Sequence, residues 1–269
     1  MTPAMPVAAW RRVYVAFDDT DYLGAERGTG KVGRWFCDEL VVPWRPWAVV
    51  RQQLLVDPRV PYTSHNSAAV CVLEYVGAEV GGGDGSAVPP GLDDLVERAV
   101  RHLARHWLDG SDPGLCVAWD GSPALERLAA FGRRAATEVV TQAEAYAAAE
   151  GVHLSGHGGS EDGVIGAAAG VGLTHDGWSG RMIDYHVPLR EFGDPVTVAE
   201  LAAAGIAVTA LDRDAPILRG DEPIATENWL RPRLWGGRPV VPVQRDGNGG
   251  WVAMGPRTAA SEEQAASEK

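Results

Sequence analysis

The amino-acid sequence predicts an α+β fold, in which predicted strands and helices are mixed along the chain. Strand-like apolar runs occur in hairpin-like pairs rather than in strict alternation with helices, which argues against a doubly wound parallel sheet. The chain has 269 residues, 45% of them hydrophobic, which is enough apolar material for the core of one large domain or two small ones. Its 33 glycines exceed the usual share of roughly 7% without a collagen-like period, so glycine here serves backbone geometry.

The first half of the chain is predicted to open with a short strand and a helix. Residues 12–17 are an apolar run typical of a strand, and the run ends in Asp18-Asp19-Thr20-Asp21. Apolar residues at helical spacing between 28 and 40 predict a helix that begins at Gly28-Thr29-Gly30. The pattern then predicts strands at 48–56 and 68–75, a polar loop between them, and helices at 92–108 and 125–149.

The second half of the chain begins with a glycine cluster between residues 156 and 172. Small side chains from 161 to 170 predict a helix that packs very closely against a neighbour. Beyond it the pattern predicts strands at 181–187 and 206–211, a short helix at 197–204, and an ordered loop at 227–243 that leads into an edge strand. The tail beyond Arg257 lacks core-forming residues, so it is predicted to be disordered.

Charge and cysteine content narrow the function classes. With 24 basic and 36 acidic residues the formal charge is -12, which argues against binding nucleic acid through a broad basic face but leaves a compact anion site open. Cys37, Cys71 and Cys116 are too far apart for a zinc knuckle or a disulfide framework. The N-terminus lacks the order of a secretory signal, and the longest apolar runs are shorter than a membrane span, so a cytoplasmic location is predicted.

The acidic turn after the first strand is the first candidate site. Asp18, Asp19 and Asp21 would repel one another unless they are solvated, paired with cations or bound to a metal ion. Carboxylates at the end of a strand commonly hold Mg²⁺ against substrate phosphates. The alternative is an ordinary acidic turn in which Asp21 caps the next segment.

The helix start that follows supplies groups suited to phosphate. Gly28, Thr29, Gly30 and Lys31 offer backbone amides, a hydroxyl and an ammonium group. The glycine that a Walker loop needs at the required interval is absent. Together with the acidic turn, this segment is compatible with a site for a metal and a nucleotide.

Two further segments combine polar side chains with ordered turns. The loop between the predicted strands either binds a ligand or is an ordinary polar turn; its candidate substrate-binding residues are Tyr62, Thr63, Ser64, His65 and Asn66. The second glycine cluster would let a ligand approach the backbone at the start of a helix; a tight structural turn, or a metal site that uses His153 and His157, are its alternatives. Its candidate cofactor-binding residues are Gly158, Gly159, Glu161, Asp162 and Gly163.

Taken in order, these segments resemble the archaeal tRNA-isoleucine agmatinylcytidine synthetase family and its shorter bacterial relatives. The resemblance rests on Phe17-Asp18-Asp19-Thr20-Asp21, a Gly-Thr helix start, Val50-Arg51-Gln52 to Pro61-Tyr62-Thr63 with Asn66-Ser67-Ala68, and Gly163-Val164-Ile165-Gly166-Ala167. It covers residues 10 to 245. The combined order of these motifs is more specific than any single one.

The resemblance implies a kinase-like mixed α/β domain packed on a ferredoxin-like domain. The corresponding expected boundaries are 10–150 for the kinase-like domain, 151–245 for the ferredoxin-like domain, and 246–269 for a C-terminal strand and tail. In that family ATP activates the C2 carbonyl oxygen of a cytidine as a phosphate ester, and agmatine displaces the phosphate.

Residue by residue, Asp18, Asp19 and Asp21 match the family's acidic magnesium and catalytic cluster, with Thr20 among them as a further cofactor contact. Thr29 matches the family's phosphorylatable threonine, with one residue inserted before it. Asn66 matches a family asparagine. Thr63 stands where the family has lysine, which indicates a changed substrate pocket.

The resemblance therefore implies an enzyme that uses ATP and magnesium to activate an amide-like carbonyl oxygen for displacement by an amine. Because the family's oligonucleotide-binding barrel and zinc ribbon are not matched and the charge is acidic, the expected substrate is a small molecule such as a nucleoside or a cytosine-like base. Nucleic acid and membrane partners are not expected; a homodimer is left open. The alternatives are a non-catalytic nucleotide-binding regulatory protein, or a tRNA cytidine-modifying enzyme that acts with a separate RNA-binding partner.

Overall fold

The computed structural model describes residues 12–60, 65–77, 88–212, 214–215, 217–226 and 230–255. The fold is mixed α and β, as predicted. The chain forms two compact units, Met1–Gly180 and Arg181–Lys269. The predicted boundary at residue 150 lies earlier than this division, because the helix at 163–176 packs within the first unit.

The first unit is built on a five-stranded antiparallel sheet. Its strands are β1 (Arg12–Asp18), β2 (Trp44–Gln53), β3 (Ser67–Tyr75), β4 (Gly114–Trp119) and β5 (His153–Gly156). They lie in the order β5-β4-β1-β3-β2, and each neighbouring pair is antiparallel. The apolar run of β1 is buried at nearly every position, because this strand is central and helices cover both of its faces.

The helices of the first unit are α1 (Thr29–Asp38), α2 (Leu92–His106), α3 (Ala124–Ala135), α4 (Gln142–Ala148) and α5 (Gly163–Asp176). Successive side chains of a strand point to opposite faces, and β1 shows which helices cover each face. Phe17 packs against Phe36 of α1, with ring centroids 5.4 Å apart, whereas the next residue, Asp18, faces Gly166 of α5. Helix α5 therefore lies on the face opposite α1.

The predicted close packing of the glycine-rich helix is confirmed. A Cβ atom added at Gly170 of α5 would lie 2.9 Å from Cβ of Ala68 on β3, closer than a real contact permits. The small residues of α5 let its backbone lie almost directly on the sheet.

For the first unit, the sequence prediction is wrong at one helix and misses two strands. The single helix predicted at 125–149 is two helices, because α4 starts anew at Thr141. The Thr141 hydroxyl accepts from the Glu144 amide, and the Glu144 carboxylate accepts from the Thr141 amide at 2.8 Å, which is a capping box. Strands β4 and β5 are not predicted, since β4 is a short apolar run without alternation.

The second unit carries its own strands and one short helix. These are β6 (Arg181–Tyr185), β7 (Val196–Thr197), α6 (Val198–Ala203), β8 (Ala207–Ala210), β9 (Pro223–Ala225), β10 (Arg233–Trp235), β11 (Arg238–Arg245) and β12 (Trp251–Ala253). The strands lie in the order β6-β10-β11-β12-β9-β7, and β8 pairs in parallel with β11. The predicted edge strand is wrong: β11 pairs with β10 and β12 along one side and with β8 along the other.

Within the described part of the chain, none of the helices has both the length and the apolar character needed to cross a lipid bilayer. The predicted disordered tail beyond Arg257 lies outside the described residues.

Candidate functional site

The acidic turn predicted from the sequence is tied to the start of α1. Strand β1 ends at Asp18, and Asp19 adopts the left-handed backbone conformation with φ of 49°, which aspartate tolerates better than most residues. Thr20 is buried, and its hydroxyl donates to Oγ1 of Thr29 at 3.1 Å. The turn is therefore anchored to the first residue of the helix.

A cavity of about 240 Å³ opens beside this turn within the first unit. Four aspartates line it, Asp18, Asp19, Asp21 and Asp162, and we call it the acidic pocket. Thr29 lies next to them. Apolar side chains also line the cavity, namely Leu54, Leu55, Val60, Ala135, Val139, Val140 and Ile165. Polar residues complete the lining, namely Arg59, His65, Asn66, Ser67 and Glu138, with Gly166 beside them.

The carboxyl groups of Asp18, Asp19 and Asp21 lie in an environment that disfavours their charged form. Burial raises the pKa of Asp18 to about 8, and repulsion by the Asp19 and Asp21 carboxylates adds to the shift. Burial raises the pKa of Asp19 to about 6, and the next cause is repulsion by the nearby Asp112 carboxylate. The pKa of Asp21 is also raised by burial, although a hydrogen bond from Thr29 opposes the shift. Burial and repulsion between carboxylates therefore outweigh the hydrogen bonds that favour the charged forms in this turn.

The Asp18 carboxylate is confined by the backbone of α5. A Cβ atom at Gly166 would overlap Oδ2 of Asp18, so only glycine leaves room for the carboxylate. The Cβ position of Gly28 lies 3.4 Å from Oδ2 of Asp21, which is a tight contact without overlap. The main chain of α5 at Gly166 thus forms part of the pocket floor.

This set of donors fits a magnesium ion. Carboxylate oxygens are its preferred protein ligands, and burial together with neighbouring carboxylates raises the pKa values of Asp18 and Asp19, a strain that a bound cation would relieve. Asp18, Asp19 and Asp21 are the residues that could hold the ion. The guanidinium of Arg59 is engaged by Asp57 at 2.8 Å.

The predicted site residues are only partly brought together. Asp18, Asp19, Asp21, Thr29, Asp162, His65 and Asn66 share the acidic pocket. The amide nitrogen of Asn66 donates to the Leu55 carbonyl at 2.7 Å, which fixes the orientation of that amide. Tyr62, Thr63 and Ser64 lie outside the described residues.

The remaining predicted cofactor residues are not part of the pocket lining: these are Thr20, Gly28, Gly30, Lys31, Gly158, Gly159, Glu161 and Gly163. The Lys31 ammonium lies over the Trp35 ring, 5.4 Å from its centroid. A Cβ atom at Gly159 would overlap Oδ1 of Asp112. The Asp112 carboxylate accepts from the amide and hydroxyl of Ser160, so the second glycine cluster is a tightly packed turn around Asp112.

Sequence reasoning missed two contributors to the site. Asp112 lies just before β4, and its carboxylate raises the pKa of Asp19 from a distant point in the chain. Glu138, Val139 and Val140 lie in the connection between α3 and α4, where the sequence predicts continuous helix. The Asp-Pro pair at 112–113 is a turn signal that could have revealed the first of these.

Comparison with known proteins gives matches among solved structures. No family model matches the chain, and no curated protein does. The crystal structure of TiaS in complex with an isoleucine tRNA and ATP is similar, with 20% identity and a TM-score of 0.48 over 72% of this chain and 43% of that one. The structure of a tRNA fluorescent labelling enzyme is similar at 22% identity and a TM-score of 0.47, over 70% of this chain and 42% of that one.

A third similar structure is the complex of TiaS with the same tRNA, AMPCPP and agmatine, at 20% identity and a TM-score of 0.46, over 72% of this chain and 44% of that one. This chain thus matches less than half the length of each of these proteins. The prediction of a small-molecule substrate without nucleic acid is wrong against this finding, because two of the similar structures hold tRNA. The predicted resemblance is confirmed: the chain is similar in structure to TiaS, which one of the matches names as a tRNA agmatidine synthetase.

Proposed function

We propose that the acidic pocket is the site of an ATP- and magnesium-dependent transferase or ligase, which activates a nucleobase carbonyl oxygen in RNA for displacement by an amine. The observation that supports it most directly is the convergence of Asp18, Asp19, Asp21 and Asp162 on one cavity beside Thr29. Clustered carboxylates around a partly buried cavity are costly unless a cation neutralises them, and a magnesium ion bound there could also hold a phosphate chain. Such a site catalyses phosphoryl transfer mainly by positioning and by electrostatics.

Thr29 has the contacts of a group that can receive or position a phosphoryl group. Its oxygen accepts from the Thr20 hydroxyl and amide, while its own hydroxyl donates to the Asp21 carboxylate. The hydroxyl proton is thereby directed at a base, which is the usual arrangement for an activated nucleophile.

Asp19 would serve the reaction as a charged ligand of the ion. Its pKa of about 6 applies to the pocket without a cation, and a magnesium ion bound beside it would lower that pKa and favour the carboxylate. Magnesium, when bound, would neutralise charge on the transferred phosphate.

The apolar side chains of the acidic pocket support the assignment of a nucleobase as the acceptor. Leu54, Val60 and Ile165 offer apolar contact to a ring, and Asn66 lines the same cavity with its amide held by the Leu55 carbonyl. The cavity is slightly smaller than typical ligand sites of roughly 300 Å³ or more, so it suits the reacting base and phosphate rather than a whole nucleotide. The tRNA that the similar structures contain is the first RNA to test.

The experiment measures ATP consumption with and without magnesium, tRNA and agmatine, followed by mass spectrometry of the digested nucleosides. We expect RNA-dependent ATP consumption and a modified nucleoside. Asp19→Asn and Thr29→Ala should abolish both, while Asp109→Asn, a change at an exposed aspartate outside the pocket, should leave both intact.

Three outcomes would overturn the proposal. ATP binding without turnover would identify a non-catalytic nucleotide-binding protein. ATP turnover that does not depend on any RNA tested would exclude RNA as the substrate. Activity that survives Asp19→Asn would place the chemistry outside the acidic pocket.

A further inference from the structure

A second cluster of possible metal ligands lies in the first unit, where α1 meets α2. It consists of Glu39, His102 and His106, and we call it the Glu-His cluster. Their ligand atoms all lie within 4.8 Å of one another. The histidines are four residues apart on α2, which places both on one face of the helix. Since His102 packs against Phe17, with ring centroids 6.0 Å apart, the cluster lies on the face of β1 opposite Asp18.

His102 is oriented as a metal-binding histidine would be. Its side chain is 0% exposed, its Nε2 lies 3.0 Å from the Val32 carbonyl oxygen, and its Nδ1 lies 3.2 Å from Oε2 of Glu39. The carbonyl can only accept, so Nε2 carries the proton and donates it. A hydrogen bond of this kind fixes the tautomer of a histidine that binds metal through its other nitrogen.

The carboxylate facing Nδ1 also only accepts, so a positive species has to lie between Nδ1 and Oε2. That species is either a second proton or a metal ion. Zinc bonds of about 2.0–2.2 Å to nitrogen and oxygen place neighbouring ligands of a tetrahedral site about 3.4 Å apart. The observed separations are 3.2 Å for Glu39 and His102 and 3.8 Å for Nε2 of His106 and Oε1 of Glu39, so small side-chain movements would complete the geometry.

We propose that the Glu-His cluster binds one Zn²⁺ ion through Nδ1 of His102, Nε2 of His106 and the Glu39 carboxylate, and that this ion ties α1 to α2. The side chains of His106 and Glu39 are 24% and 35% exposed, so an ion can enter from solvent.

Arg105 competes with the ion for the same carboxylate. Its Nη2 lies 2.7 Å from Oε2 of Glu39, and its side chain is 58% exposed, so the guanidinium can move into solvent. Arg27 adds a second positive charge near His106. Removing Arg105 should therefore tighten zinc binding. If the cluster is instead held only by hydrogen bonds and ion pairs, neither the wild type nor the Arg105→Ala variant should bind zinc.

The test uses the full chain, freed of any affinity tag and dialysed against a chelator. Zinc binding is measured by titration calorimetry, and Co²⁺ absorption reports tetrahedral coordination by nitrogen and oxygen. We expect one zinc per chain, an affinity weakened by roughly tenfold or more in His106→Ala, and an affinity increased in Arg105→Ala. His186→Ala, a change at an exposed histidine of the second unit, and Asp19→Asn in the acidic pocket should bind zinc like the wild type.

Circular dichroism checks that each variant folds; since His106 is partly exposed, its replacement by alanine should be tolerated. Wild-type protein that binds no zinc at micromolar concentration would overturn the proposal. So would zinc binding that survives His106→Ala, or binding lost in Asp19→Asn, because the ion would then lie elsewhere.

Discussion

Replacing Asp18 with asparagine should change how the stability of the protein depends on pH. Asparagine has the same shape as aspartate, so the close contact with Gly166 is kept while the titration is removed. In the wild type, Asp18 ionises near pH 3.8 in the unfolded chain and near pH 8 in the folded one. Between these values the folded state holds the proton more tightly, so the free energy of unfolding falls as pH rises, and above pH 8 the loss is complete.

The size of the effect follows from the shift. Between the pKa of Asp18 in the unfolded chain and its pKa in the folded chain, the free energy of unfolding falls by about 1.4 kcal/mol per pH unit. The largest possible loss between pH 5 and pH 8 is therefore about 4 kcal/mol. Asp18 is partly reached by solvent, which screens the interaction, so we expect about 2 kcal/mol. The Asp18→Asn variant should gain that amount relative to the wild type across this interval.

Urea unfolding at pH 5, 6, 7 and 8, followed by circular dichroism, measures the difference. Asp109→Asn should follow the wild-type curve, because Asp109 is exposed outside the pocket. Magnesium at a hundredfold excess over its Kd should raise wild-type stability at pH 8 by about 2.7 kcal/mol and the variant by less. Parallel curves for Asp18→Asn and wild type would show that Asp18 is not held in a charge-disfavouring environment.

Two further predictions concern backbone approach and helix capping. Gly166→Ala should destabilise the protein by about 1–3 kcal/mol, because the new Cβ would overlap the Asp18 carboxylate; Gly33→Ala, whose nearest neighbours would lie at 3.4 Å, should cost less, and equal costs in urea unfolding would contradict the contact. Thr141→Ala should cost about 1 kcal/mol, because it removes the capping box with Glu144; an unchanged thermal midpoint would contradict that role.

The parts of the site that are close in sequence could be predicted. The end of β1, the acidic turn and the start of α1 follow from local patterns, so the sequence alone assigns Asp18, Asp19 and Thr29 to one site. Asp112 escapes such reasoning, because its approach to Asp19 depends on the pairing of β4 with β1. The two strands are far apart in the sequence, and the periodicity of hydrophobic residues does not predict which strands pair.

The break between α3 and α4 escaped prediction for a different reason. Alanine, glutamate and arginine favour helix on both sides of residues 136–141, so propensity alone continues the helix. The capping box at Thr141 shows where it restarts, and the Val139 and Val140 side chains that this break exposes line the acidic pocket.

The contact between α5 and Asp18 limits which substitutions can change the ligand preference of the acidic pocket. At Gly166 the pocket is lined by main chain, so a substitution there disrupts packing before it alters ligand preference. Most of the apolar lining residues, by contrast, lie on the connection after β2 and on the connection between α3 and α4. Libraries that aim to redirect substrate choice should therefore vary these two connections and leave Gly166 and Gly170 fixed.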